Sequence, residues 1–150
     1  MPLHSALTDP EIHEPKGVAA AAAGKTYLSD GVGSGSWVVP PYTVTGVIDD
    51  VSTAASIYLA IPYAGTVTKV VTVLAGSITT SNGTITVKNA AGSSMGTLTI
   101  TQSGSAAGDV DTLSPVSNNS VANNSTISVE TDGACDTARK LFVTVYIQAS

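Results

Sequence analysis

The sequence predicts an all-β protein: an antiparallel β-sandwich, jelly-roll-like and of about eight strands, behind an extended N-terminal arm. Three observations predict it. From residue 42 onward apolar residues recur at every second position, and no stretch sustains a helical period. The alternating runs are separated by short clusters of Asn, Gly, Asp and Ser, the residues that turns require. Ser and Thr together make up 38 of the 150 residues while 11% are charged, so threonine rather than lysine or glutamate covers the wetter strand faces.

The first element is an arm over residues 1–41. Over residues 11–37 its larger apolar residues, Ile12, Val18, Tyr27, Leu28, Val32 and Trp37, stand too far apart to build a core. Five alanines at 19–23, bounded by Gly17 and Gly24, are too few to sustain a helix on their own. Gly31, Gly33 and Gly35 let the chain bend closely over a neighbouring surface. Trp37, at the junction, is expected to bury most of its ring. The arm is expected to be mobile in the isolated protein and ordered only on a partner.

The sandwich occupies 42–150. A strand is expected near 43–49. Ile57, Leu59 and Ile61 alternate with Tyr58 and Ala60 in the next, and a third spans 66–76. Ile85 and Val87, then Leu98 and Ile100, alternate with threonines on either side of Ala91-Gly92-Ser93. A strand near 109–116 follows, then Ile127 and Val129 alternating with Thr126, Ser128 and Glu130, and a last strand near 140–148. Turns are expected at Ser81-Asn82-Gly83, Gly104-Ser105, Asn118-Asn119 and Asp132-Gly133.

Two strands are apolar on both faces. In the 66–76 strand, alternation puts Val67, Val71 and Val73 on one face and Val70 and Leu74 on the other. In the last strand, Leu141, Val143, Val145 and Ile147 face the core, which leaves Phe142 and Tyr146 outside. An outer face carrying aromatics in a chain with 5% of them is covered by the arm or by another subunit. The expected interface residues are Val70, Leu74, Phe142 and Tyr146, and symmetric self-association, as a homotrimer, is the expectation.

Composition excludes several classes. Six basic residues and a net charge of −5 leave no footprint for nucleic acid. No run of 18 apolar residues exists to span a membrane as a helix, and the Val18–Ala23 stretch is too short for a secretion signal. A lone cysteine, Cys135, cannot form an internal disulfide or a cysteine-based zinc cage. The carboxylate pairs Asp49-Asp50, Asp109/Asp111 and Asp132/Asp136 come without a histidine partner or a calcium-loop spacing. No catalytic residue, metal or cofactor is expected, and the chain is not expected to be an enzyme.

The segment His13-Glu14-Pro15-Lys16-Gly17-Val18, followed by Lys25-Thr26-Tyr27-Leu28-Ser29-Asp30-Gly31 and Gly33-Ser34-Gly35-Ser36-Trp37, resembles the N-terminal segment of tailed-bacteriophage virion proteins. In those it precedes β-rich head-decoration, head-fibre or tail-fibre domains. The resemblance covers about the first quarter of the chain. It implies a capsid decoration (cement) or head-fibre protein, made in the host cytoplasm and placed on the outer capsid surface with the major capsid protein as partner. Ile12, His13, Glu14, Pro15, Lys16, Val18, Tyr27, Leu28 and Trp37 would form the docking arm. A short tail-fibre or adaptor protein with a glycan- or fibre-binding sandwich is the alternative.

Overall fold

The computed structural model describes residues 24–29, 32 and 35–150, which hold eleven β-strands and no helix. The chain divides into two compact units, Met1–Pro40 and Pro41–Ser150.

The described part of the first unit contains a hairpin. Strand β1 (Thr26–Ser29) pairs antiparallel with β2 (Gly35–Val38) from Thr26↔Val38 to Ser29↔Gly35. Its register sets Tyr27 opposite Trp37, with ring centroids 5.3 Å apart in an edge-to-face arrangement. Such cross-strand aromatic pairs are a recognised source of hairpin stability, and Trp37 is partly buried. The signal was present in the sequence as two short β-prone runs around a Gly/Ser-rich loop.

The second unit is the sandwich. Its strands are β3 (Tyr42–Ile48), β4 (Ala55–Ile61), β5 (Gly65–Leu74), β6 (Gly83–Lys88), β7 (Ser94–Ile100), β8 (Asp109–Leu113), β9 (Ser120–Val121), β10 (Ser125–Thr131) and β11 (Leu141–Ala149). One sheet runs β4-β10-β6-β7 and the other β3-β11-β5-β8, with β9 also on β5. Every pairing is antiparallel. Only β6–β7 is a hairpin within one sheet; β3–β4, β4–β5, β5–β6, β7–β8, β9–β10 and β10–β11 each cross between sheets. The eight strands expected in this unit are present, joined by the two-residue β9. Strand β8 ends at Leu113 rather than near 116 because Pro115 follows and has no N–H to extend a ladder.

The inner faces of both sheets meet in one core. Ile127 and Val129 of β10, Ile85 and Val87 of β6, and Val143, Val145 and Ile147 of β11 are essentially inaccessible to solvent. Between β3 and β4 the sheets approach so closely that a Cβ on Gly46 would lie 2.6 Å from Leu59 Cδ2.

A β-bulge in β5 overturns the expected faces of that strand. Tyr146 pairs with Lys69 but Ile147 pairs with Val67, so Thr68 is skipped. Past the bulge the alternation is shifted by one residue. Val67, Val70, Thr72 and Leu74 therefore all point inward, and Val71 and Val73 point outward. Val70 and Leu74, expected on an outer interface, are 0% and 1% exposed and belong to the core.

Candidate interaction face

The outer face of the β3-β11-β5-β8 sheet is built by strand register. Phe142 on β11 stands between Val47 of β3 and Val73 of β5, and Val73 stands next to Val110 of β8. This apolar row crosses all four strands, and Val47, Phe142 and Val110 are 38%, 46% and 55% exposed. The next row reads Thr45, Thr144, Val71, Thr112, and the one after it Thr43, Tyr146, Lys69. Lys69 is the one ionisable cation or acid in these three rows. A face of this kind, apolar in the centre, hydroxyl-rich at the border and nearly free of charge, has the composition of a protein–protein contact.

Of the interface residues named from sequence, the structure brings Phe142 and Tyr146 to this face. Val47, Val73 and Val110 complete it and were missed. Val73 was hidden by the bulge. Val47 and Val110 lie on strands whose alternation with Thr45 and Thr112 looks like ordinary solvent-facing sequence. Among the proposed docking residues, Tyr27 and Trp37 make the aromatic pair of the hairpin, and Leu28 is 61% exposed. Ile12, His13, Glu14, Pro15, Lys16 and Val18 lie outside the described residues.

Three of the carboxylates, Asp50, Asp132 and Asp136, hold turns and loops. Asp136 accepts hydrogen bonds from the backbone N–H and hydroxyl of Thr79; the Thr79 hydroxyl, then the hydroxyl and amide of Thr80, keep its carboxyl well below the ordinary range. For Asp132, burial works to raise the pKa, but amide donors from Ala134 and Thr84 outweigh it and hold the group low. Asp50 caps the following turn through the Ser52 hydroxyl and amide at 2.6 and 2.8 Å. Asp49 is ion-paired with Lys140 at 2.7 Å. Burial, then the charge of Asp109, raises Asp111. Cys135 is 2% exposed; burial, followed by Asp132, Asp136 and Asp50, pushes its thiol up, opposite to the shift a nucleophilic cysteine needs. No group of three or more His, Cys, Asp or Glu able to hold a metal occurs among the described residues. Two surface depressions, of about 190 and 570 Å³, are lined by residues such as Val121, Ala91 and Ser120, and Val44, Ile61 and Pro62, with no ionisable side chain in either.

No protein-family model and no curated protein matches the chain. Its fold is similar to that of a chain in the acidic stable capsid structure of Helicobacter pylori bacteriophage KHP30, with a TM-score of 0.55 and 16% sequence identity, over 84% of this chain and 94% of that one.

Proposed function

We propose that this protein is a non-enzymatic structural component of a bacteriophage virion, associated with its capsid. The observation that carries the reading is the likeness of fold to a chain of a phage capsid structure, over nearly the whole of that chain. The charge-poor face described above supports it, because a subunit embedded among neighbours needs apolar contact area more than it needs charged, soluble surface.

In its concrete form the protein is a decoration, or cement, protein on the outer capsid surface. Copies associate as homotrimers through Phe142, Tyr146 and the adjoining Val47, Val73 and Val110. The N-terminal segment, from Ile12 through the Tyr27–Trp37 hairpin, anchors each copy on the major capsid protein. The mechanism is mechanical: a ligand that binds only the assembled lattice stabilises it by mass action, and many linked copies multiply a weak individual contact. No cofactor, metal or nucleic acid takes part.

The test is to strip or delete the protein from heads, add it back, and sediment. Wild type is expected to return to heads in amounts that scale with lattice sites. A chain starting at Pro41 should keep its fold but not bind. Recovery of the protein in a few copies on purified tails would replace this reading with a tail-fibre or adaptor role.

A further inference from the structure

Strand β4 is an edge without the usual protection. It ends the β4-β10-β6-β7 sheet, and among the described residues β10 is the strand hydrogen-bonded to it. Natural edge strands are normally blunted by charge, proline, bulges or inward-pointing polar groups, because an open row of N–H and C=O groups recruits another strand. Two of the other three edges of this sandwich carry such devices. Strand β7 has a bulge at Ser94–Gly96, and the Asn118 side chain caps the Ser94 carbonyl at 2.8 Å. Strand β8 turns Asp109 and Asp111 toward the sandwich interior side. Strand β3 runs unbroken through Gly46 and follows Pro40-Pro41. Strand β4 reads Ala-Ser-Ile-Tyr-Leu-Ala-Ile: seven residues with no charge, proline, glycine or bulge, with Pro62 directly after the last of them.

The occupant is specified by the strand's own pattern. An edge strand accepts only another extended strand, and β4 is complementary to itself. Antiparallel pairing centred on Tyr58 sets Ile57 opposite Leu59, Ala55 opposite Ile61, and Ser56 opposite Ala60. Ile57 and Leu59 then meet on the inner side, the small outer residues meet each other, and Tyr58, 71% exposed, stacks on its symmetry mate. No like charges face one another, which matters between two chains of net charge −5. We infer that β4 is a twofold contact site for a second copy of this chain, joining two four-stranded sheets into one of eight. Seven residues a side are few against the roughly 20–30 of a stable stand-alone complex. The contact is therefore weak in dilute solution and closes when copies are held side by side, as on a shell. It uses a strand separate from the Phe142 face, and its failure would leave the capsid assignment standing.

Cysteine cross-linking of the full-length protein tests both contact and register. In the inferred pairing the Tyr58 positions of two copies are opposed, at the roughly 4.5–5.5 Å Cα separation of antiparallel pairs, which a disulfide spans. The Ser56 positions of two copies are four residues apart along the strand, roughly 13 Å, which a disulfide cannot span. Concentrated Tyr58→Cys protein, mildly oxidised, is expected to form a covalent dimer linked 58 to 58. Ser56→Cys should form at least about tenfold less, since two Cα atoms beyond ~7 Å cannot be bridged without backbone movement. The double variant Ser56→Cys/Ala60→Cys should recover the dimer, linked 56 to 60. Buried Cys135 stays out of the reaction. Equal linkage in every variant would indicate random collision, and none in Tyr58→Cys and in the double variant would mean that another segment occupies the edge; either result overturns the inference.

Discussion

Thr72 shows how a single side chain limits stability. It is fully buried on the inner face of β5, and its hydroxyl is the one buried side-chain polar atom without a hydrogen-bond partner among the described residues. Thr72→Val removes an unsatisfied group at nearly constant shape, and should stabilise the protein by about 1 kcal/mol, read as a higher melting temperature. The carboxylates predict opposite pH behaviour. Asp132 and Asp136 lie below the ordinary value of 3.8, so the folded state holds their charged forms more tightly than the unfolded chain does. Their stabilisation is fully present above that value and is lost as pH falls through their depressed folded values. Asp136→Ala should therefore melt lower than wild type at pH 7, and the gap should narrow as acid is added. Asp111 is raised, so its charge opposes folding at neutral pH. Asp111→Asn should melt higher than wild type at pH 7 and alike at pH 3. Melting curves of the two variants across that range check both signs.

At the level of elements, turns and bulges decide where side chains point. Gly133, between β10 and β11, has φ +73°, and a Cβ there would lie 2.2 Å from the backbone nitrogen of Ala54. Gly133→Ala must adopt a left-handed backbone costing about 1–3 kcal/mol and also displace the β3–β4 connection, so a loss of at least that size is expected in denaturant unfolding. The strands themselves were legible. Ile57/Leu59/Ile61, Ile85/Val87, Leu98/Ile100 and Ile127/Val129 alternate without interruption, and each is a strand with those residues turned inward. The faces of β5 were not legible, because a bulge at Thr68 is set by pairing with β11 across 78 residues of chain and leaves no local mark in Thr-Val-Thr-Lys-Val. The same long-range pairing assembles the candidate face. Phe142 and Tyr146 stood out as aromatics on an outward parity, whereas Val47, Val73 and Val110 join them only through the register of four strands. The Tyr27–Trp37 pairing is set by the register of β1 on β2, which the sparse apolar residues of this segment do not mark.

The whole molecule combines a well-filled core with a surface that is sparing of charge. At 11% charged residues, hydroxyls supply much of the polar surface, and the apolar row through Phe142 is the contact proposed between copies. Phe142→Asp would put a charge in that contact without touching the core, since the side chain is already 46% exposed. Desolvating an unpaired charge is strongly unfavourable, so light scattering should show smaller assemblies at unchanged melting temperature. The measurement that bears most directly on the account is a density map of the virion. The proposed capsid role requires the two-sheet sandwich repeated over the capsid shell, with the Val47–Phe142–Val73–Val110 row buried between copies. Density that places the sandwich only on the tail, or on the capsid with that row facing solvent, would contradict it.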